Sequence, residues 1–270
     1  MAGLDRSRKT EFTGMGEAYD RARPSYPASL FRQLDEHFQF KMGQTALEIG
    51  CGTGKATVHL AICGLNVTAI DIAPDLLAVA KEKVKGGKIR LVESSFEDFK
   101  APDASFDYVA SAQAFHWIDP AIACPKARKL LKKGGALILI WNIRWDGPSP
   151  ERDALDAIYR EHAPTLARHQ SEGKSAITGS SQTAYTEARA TLERAAAEGL
   201  FRDLKSFSVR WQQSYTALEY IALLGTYSDH KRLKPQEKEK LYAAVEEFIN
   251  DKGGSITIPY DCVALSAAAA

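Results

Sequence analysis

Thr45-Ala46-Leu47-Glu48-Ile49-Gly50-Cys51-Gly52-Thr53-Gly54-Lys55-Ala56 is the stretch on which the fold turns. Ala46 to Ile49 is a short apolar run suited to a buried strand, glycines follow at 50, 52 and 54, and Thr53 to Ala61 reads as a helix. A strand that runs through a glycine-spaced turn into a helix is one βα unit. The glycines allow a tight turn and let a ligand lie against bare backbone, while the helix that follows presents free N–H groups and a partial positive charge.

Outward from this unit the pattern repeats. Asn66 to Ile70 predicts a strand and Pro74 to Val84 a helix opened by proline in its first turn. Strands are then expected at Ile89 to Val92 and Tyr108 to Ser111, a helix at Ala121 to Leu131, and a buried strand at Ala136 to Trp141 after Gly134-Gly135. Alternating short apolar runs and helical patterns specify an α/β fold with a parallel sheet. Beyond Asn142 helical signals at Glu151 to His162 and Ala184 to Glu198 surround the turn-rich Gly173 to Gln182. Strand-like Ser206 to Trp211 and Ser255 to Leu265 flank helices near Thr216 to Leu224 and Pro235 to Asn250, so the chain returns to the sheet twice. The expected architecture is a doubly wound, Rossmann-like, mostly parallel seven-stranded sheet. It divides into a core with its amino-terminal cap at 1–143, a helical insertion at 144–205 that caps the substrate, and a carboxy-terminal return at 206–270. No internal repeat is visible.

Composition narrows the function. Among 270 residues, 35 Lys and Arg balance 34 Asp and Glu for a net charge of +1, and no stretch gathers a phosphate-tracking surface, which argues against nucleic acid. The basic runs Lys81 to Lys88 and Lys126 to Lys133 read as solvated helix ends before Gly86-Gly87 and Gly134-Gly135. The 4 cysteines, Cys51, Cys63, Cys124 and Cys262, form no C-x-x-C pair or zinc spacing, so a reducing compartment and no metal are expected. Met1 to Thr10 lacks a signal-peptide core and no apolar run approaches a bilayer span; the cytoplasm is the expected location, with no membrane partner. Ala267 to Ala270 reads as a low-complexity, frayed end.

The loop itself limits its ligand. A dinucleotide fingerprint would place a glycine where Lys55 stands, and a P-loop would need G-K-[ST] where Gly54-Lys55-Ala56 occurs. Glu48, two positions before the first glycine, suits a cationic ligand better than a pyrophosphate.

The spacing Glu48-x-Gly50-x-Gly52-x-Gly54 resembles the E/D-x-G-x-G-x-G hallmark of class I S-adenosylmethionine-dependent methyltransferases, and the resemblance extends over most of Phe12 to Trp141. It implies that Glu48, Gly50, Cys51, Gly52, Thr53 and Gly54 pack against the methionine and ribose of S-adenosylmethionine. Asp71, ending the second strand, then holds both ribose hydroxyls, as a carboxylate can. Ser94-Ser95-Phe96-Glu97-Asp98 stands where the family usually has G-D-A-E-D around the adenine. Ser95 departs from the usual Asp, which leaves backbone contact at Phe96 and packing by Ile72. Ser111-Ala112-Gln113-Ala114-Phe115-His116-Trp117 resembles the fourth strand and its active-site edge, with Gln113 on the cofactor side. Tyr19-Asp20-Arg21-Ala22-Arg23-Pro24-Ser25-Tyr26-Pro27 is similar to a Y-x-x-x-R-P-x-Y-P segment of the type 11 and trans-aconitate methyltransferase subset, where it folds over the cofactor cleft. Tyr19, Arg23, Tyr26, Trp117 and Arg144 are thus candidate substrate or lid residues.

The implied reaction is methylation of a small molecule, with O-methylation of a carboxylate or hydroxyl favoured, by a monomer or homodimer. A carboxylate acceptor would need only a cationic clamp such as Arg23 or Arg144. A phenol, amine or alcohol would call on His116 as general base, although a His-Trp pair after a strand also suits plain packing. Trp141, Trp145 and Tyr159 read as core of the insertion, and Cys51, with no activating partner, as a small packing residue. Two other readings stand: a different nucleotide-dependent enzyme on the same fold, and a non-catalytic cofactor-binding module. Macromolecular methylation would want a basic face, and the Asn-Pro-Pro-Tyr signature of amino-group methylases is replaced by Ser111-Ala112-Gln113-Ala114.

Overall fold

A computed structural model describes residues 16–84, 88–145, 147–167 and 179–270. A 7-stranded sheet in the order β3-β2-β1-β4-β5-β7-β6 forms its centre. The strands are β1 (Thr45–Ile49), β2 (Asn66–Asp71), β3 (Ile89–Glu93), β4 (Phe106–Ala112), β5 (Leu131–Arg144), β6 (Phe201–Thr216) and β7 (Ser255–Ala269). β1 pairs parallel with β2 and β4, as do β2 with β3 and β4 with β5, while β7 runs antiparallel between β5 and β6. The mostly parallel, seven-stranded α/β architecture is therefore the one the sequence predicts.

Helices cover both faces. On one side α2 (Ala28–Phe38) and α3 (Lys55–Ile62) bury Leu30, Phe31, Leu34 and Leu60 against Ala46, Val67, Ile138 and Ile140. On the other, α5 (Pro120–Leu130) and α8 (Gly179–Ala197) bury Ala127, Leu130, Ala188 and Leu192 against Leu47, Val109, Leu137 and Leu139. α4 (Pro74–Lys83) also packs on the sheet, and α1 (Gly16–Ala22) lies against it and against α9 (Ala217–Gly225). α6 (Pro150–His162) and the short α7 (Pro164–Ala167) precede α8, and α10 (Pro235–Asp251) leads into β7. α6, α9 and α10 share a third core, in which Leu155, Tyr159, Tyr220, Leu223, Leu241 and Val245 meet Tyr215, Ile256, Ile258 and Tyr260 from β6 and β7.

The differences from expectation are mostly of length. β5 and β6 are longer than the apolar runs that announce them, because their antiparallel pairing with β7 continues past the core into half-exposed residues; Arg144 pairs with Tyr260 and Thr216 with Ser255. The terminal alanines correct one expectation. They are not frayed: Ala267 and Ala269 lie in the core, because alternate positions of β7 face inward and a methyl group fits beneath α8. The Arg128 side chain also donates to the Ala270 carbonyl. The turn expected at Gly86-Gly87 and most of the turn-rich Gly173 to Gln182 lie outside the described residues. Among the described residues no helix is long and apolar enough to cross a membrane.

Candidate active site

The strand order reverses between β1 and β4, since the chain builds outward through β2 and β3 before crossing to β4. Open α/β sheets bind ligands at this switch point, beyond the carboxyl ends of the strands. A cavity of about 610 Å³ opens there.

One end of the cavity is the glycine turn. Gly50 has φ +65° and a Cβ there would lie 2.3 Å from the Ala114 Cβ; Gly52 has φ +55° and faces open space. The first is glycine so that the loop can pass the turn after β4, the second so that the cavity wall is bare backbone. Asp71, at the end of β2, ties the turn together: Oδ2 accepts from Gly52 N at 2.8 Å and Oδ1 from Ala73 N at 3.0 Å. Each oxygen keeps a further lone pair. Burial raises the Asp71 pKa, against the pull of the backbone N–H groups of Ala73, Gly52 and Ile72.

Glu48 is 1% exposed, lines the same end, and among the described residues neither carboxylate oxygen meets a donor in full hydrogen-bonding geometry. Burial lifts its pKa to about 8; the Thr57 hydroxyl works the other way and the Asp71 charge adds to the rise. A buried, unmatched carboxyl beside bare glycine backbone is suited to a cationic ligand group. Cys51 is buried next to it, and burial, with the charges of Glu48 and Asp71, pushes its thiol far from the thiolate form. The Thr53 hydroxyl donates to Asp20 Oδ1 at 2.7 Å, so α1 is fastened to the glycine loop; Lys55 Nζ lies 3.4 Å from the same oxygen and Lys83 also pairs with it.

Ile72, Ser95 and Phe96 line the cavity beyond Asp71. Ser95 Oγ donates to Asp98 Oδ2 at 2.6 Å and accepts from Asp98 N at 3.0 Å, so it caps its own turn; Lys126 Nζ sits 5.3 Å from the Phe96 ring centroid. Gln113, with φ +59°, donates from Nε2 to the Asn142 carbonyl at 3.0 Å. His116 and Trp117 form a single 3-10 turn after β4 and line the cavity with rings 4.8 Å apart.

The other end is basic and aromatic. Arg23 donates to the Thr226 carbonyl at 3.0 Å and lies between the rings of Tyr19 and Tyr227, 5.3 and 4.6 Å from their centroids. Arg144 Nη1 donates to the Tyr220 hydroxyl at 2.5 Å. Tyr26 and Tyr260 complete the wall.

All the candidate cofactor, catalytic and lid residues, except Gly54 one step behind the loop, thus line one cavity. Gly54 instead opens α3 at φ +78°, against Ala80. Sequence reading missed Asn142, and also Tyr227, Ser228, Asp229, Arg232 and Tyr260, which wall the basic end. From the insertion at 144–205, Arg144, Leu166, Ser181 and Thr183 are among the described lining residues. Trp141 is buried in the sheet core as part of β5 and Tyr159 in the core that α6 shares with α9 and α10, whereas Trp145 is half-buried and stacks with Arg210 outside the cavity lining, so the three do not form one core of the insertion.

A family model described as a methyltransferase domain matches residues 47–139, from β1 to β5. An uncharacterized methyltransferase of Mycobacterium tuberculosis is 34% identical over 173 residues, 60% of this chain and 69% of its own length. The chain belongs to the class I S-adenosylmethionine-dependent methyltransferases. An uncharacterized methyltransferase of Schizosaccharomyces pombe is 28% identical over 232 residues, 86% of this chain and 84% of its own. The fold of this methyltransferase is also that of a solved structure from Anaeromyxobacter dehalogenans, provisionally described as a type II methyltransferase: TM-score 0.63 at 20% identity, over 91% of this chain and 97% of that one.

Proposed function

We propose that this methyltransferase transfers a methyl group to an oxygen of a small molecule, and that the acceptor presents a carboxylate to Arg23 and Arg144. The observation that carries this reading is that both guanidinium groups line the cavity, yet neither forms an ion pair with a carboxylate among the described residues. Arg23 Nε is buried without an acceptor among the described residues. A guanidinium stays charged and offers five donors in a planar fork, so unmatched donors facing a cavity favour a planar anion. Tyrosine rings compensate part of the burial without neutralising the charge.

The family's cofactor fits the opposite end. Asp71 has lone pairs left for a ribose diol, Glu48 is an unmatched acid for a cationic group, and Ile72, Ser95 and Phe96 bound the space where an adenine would lie, with Gln113 on the same side. Bound S-adenosylmethionine supplies an already activated methyl group, which leaves alignment and exclusion of water as the main tasks of the chain. Tyr19, Tyr26 and Trp117 line the same cavity and contribute to the second. A carboxylate oxygen is a nucleophile at neutral pH, so no proton has to be removed.

A second reading, a hydroxyl acceptor, is favoured by His116, which lines the same cavity and could accept the proton. The test is a methyl-transfer assay over small mono- and dicarboxylic acids and phenols, followed by alkali. A methyl ester releases methanol and an aryl ether does not. Alkali-labile product, lost in Arg23→Met and Arg144→Met while S-adenosylhomocysteine still binds, is the expected result; an alkali-stable product would replace this reading with the second.

A further inference from the structure

We propose that Asn142 is a positioning residue that holds the amino-terminal segment, and with it Arg23 and Tyr26, over the acceptor end of the cavity. Asn142 lies near the end of β5, opposite Cys262 of β7, and is 3% exposed. Its side chain is used at both ends: Nδ2 donates to the Ser25 carbonyl at 2.7 Å and Oδ1 accepts from Trp211 Nε1 at 3.1 Å. Its own carbonyl receives Gln113 Nε2. A buried amide thus joins the amino-terminal segment to β6, and its backbone holds the turn after β4.

The chemistry of the two neighbours fixes the residue type. An indole N–H can only donate and a backbone carbonyl can only accept, so the group between them must accept on one side and donate on the other. The primary amide does both, and the Trp211 bond sets its orientation. Ser25 lies between Arg23 and Tyr26, and Trp211 stacks on Tyr260 with centroids 5.5 Å apart, so both partners of the amide adjoin residues that wall the cavity. The opposite end of the segment is fastened independently, through Asp20 and Thr53, to the glycine loop. Arg23 keeps its own bond to the Thr226 carbonyl, so losing the Asn142 bond loosens the acceptor end of the segment around Ser25 and leaves its cofactor end tied.

Asn142→Asp separates this role from simple packing, because it keeps the size and the acceptor for Trp211 but, measured at alkaline pH where the carboxyl is ionised, turns an oxygen that cannot donate toward the Ser25 carbonyl. The inference rests on the acceptor reading above only for its kinetic consequence. Hydrogen exchange of the amides in residues 19–27 needs no acceptor, and should rise about tenfold relative to wild type, the scale of one buried hydrogen bond, with exchange in β1 and β4 unchanged. S-adenosylhomocysteine affinity should stay within about threefold, since one bond at the far end of the segment is lost. With an acid that the enzyme methylates, KM should rise about tenfold at nearly constant kcat, as loss of uniform binding does. Trp211→Phe, which removes the N–H and keeps a ring, should shift exchange the same way to a smaller extent, and carries the test should the Asp variant not fold. Wild-type exchange in residues 19–27, or a rise spread evenly over the sheet, would overturn the proposal. If no acid is methylated, the acceptor reading fails and the exchange result still decides this one.

Discussion

The backbone N–H of Gly52 donates to Oδ2 of Asp71 at 2.8 Å, so the turn after β1 and the acid that ends β2 are one hydrogen-bonded unit. Any ligand held by that carboxylate is also held against the glycine backbone. Asp71→Ala removes the anchor and the acceptor for a diol together. Two hydrogen bonds to a charged group are worth about 1.5–3 kcal/mol each, so S-adenosylhomocysteine affinity should fall by more than about 100-fold. Asp71→Asn, which keeps one acceptor oxygen, should lie between that variant and wild type. Isothermal titration measures both, and tight binding by the alanine variant would remove Asp71 from the ribose role.

Glu48 gives the site a pH signature. Its ordinary value is near 4.5 and burial lifts it to about 8 in the folded chain. Between those values the folded state holds a proton that the unfolded state has lost, so stability falls as pH rises through the window. Glu48→Gln should remove this slope. The cofactor-free variant should melt a few degrees above wild type at about pH 8.5 and with little difference at about pH 4.5. A cationic ligand group favours the ionised acid, so binding S-adenosylmethionine at neutral pH should release a proton. Titrations in phosphate and Tris should then give different enthalpies for wild type and equal ones for the variant. Equal enthalpies for wild type would mean that Glu48 does not answer to the ligand.

Both of these residues were legible in the sequence, because each lies at the end of a strand whose end is marked locally. Glu48 precedes a glycine spacing, and Asp71 closes an apolar run before Pro74. The parallel sheet followed from alternation, since parallel neighbours require crossover helices. The basic end was harder to read. Arg144, Tyr227 and Tyr260 are brought together by antiparallel pairing of β5, β6 and β7 and by the loop after α9, contacts between residues far apart in the chain. Asn142 offers no local pattern at all; its role exists only because β6 delivers Trp211 to one side and the amino-terminal segment delivers Ser25 to the other.

The glycines at 50 and 52 share a left-handed backbone but differ in what surrounds them, and the two alanine variants should fail differently. At Gly50 a Cβ would stand 2.3 Å from Ala114, so β1 and the turn after β4 would have to move apart. Overpacking with backbone shift costs about 1–3 kcal/mol or more, on top of about 1–2 kcal/mol for the conformation. At Gly52 nothing lies within 4 Å among the described residues, and only the conformational cost remains. Gly50→Ala should therefore melt well below Gly52→Ala, whereas Gly52→Ala should stay folded and lose S-adenosylhomocysteine affinity, its methyl group standing where the ligand would pack. Thermal melts paired with titrations decide this; an unimpaired affinity in Gly52→Ala would place the ligand elsewhere in the cavity.

His116 separates the two acceptor chemistries, since its position in the cavity is the same under both and its duty is not. A carboxylate reaches the transfer step already deprotonated. His116→Ala should then change kcat by no more than about threefold, because the about 10²–10⁴-fold gain that a positioned base supplies was never in use. The kcat/KM profile should be flat above the pKa of the acid itself. A phenol or alcohol must lose its proton as the bond forms, so the same variant would lose most of kcat, and the wild-type profile would rise through a histidine-like limb that the variant lacks. Carboxylate methylation predicts the flat profile, and a histidine-like limb that vanishes in His116→Ala would assign the base and move the acceptor to a hydroxyl.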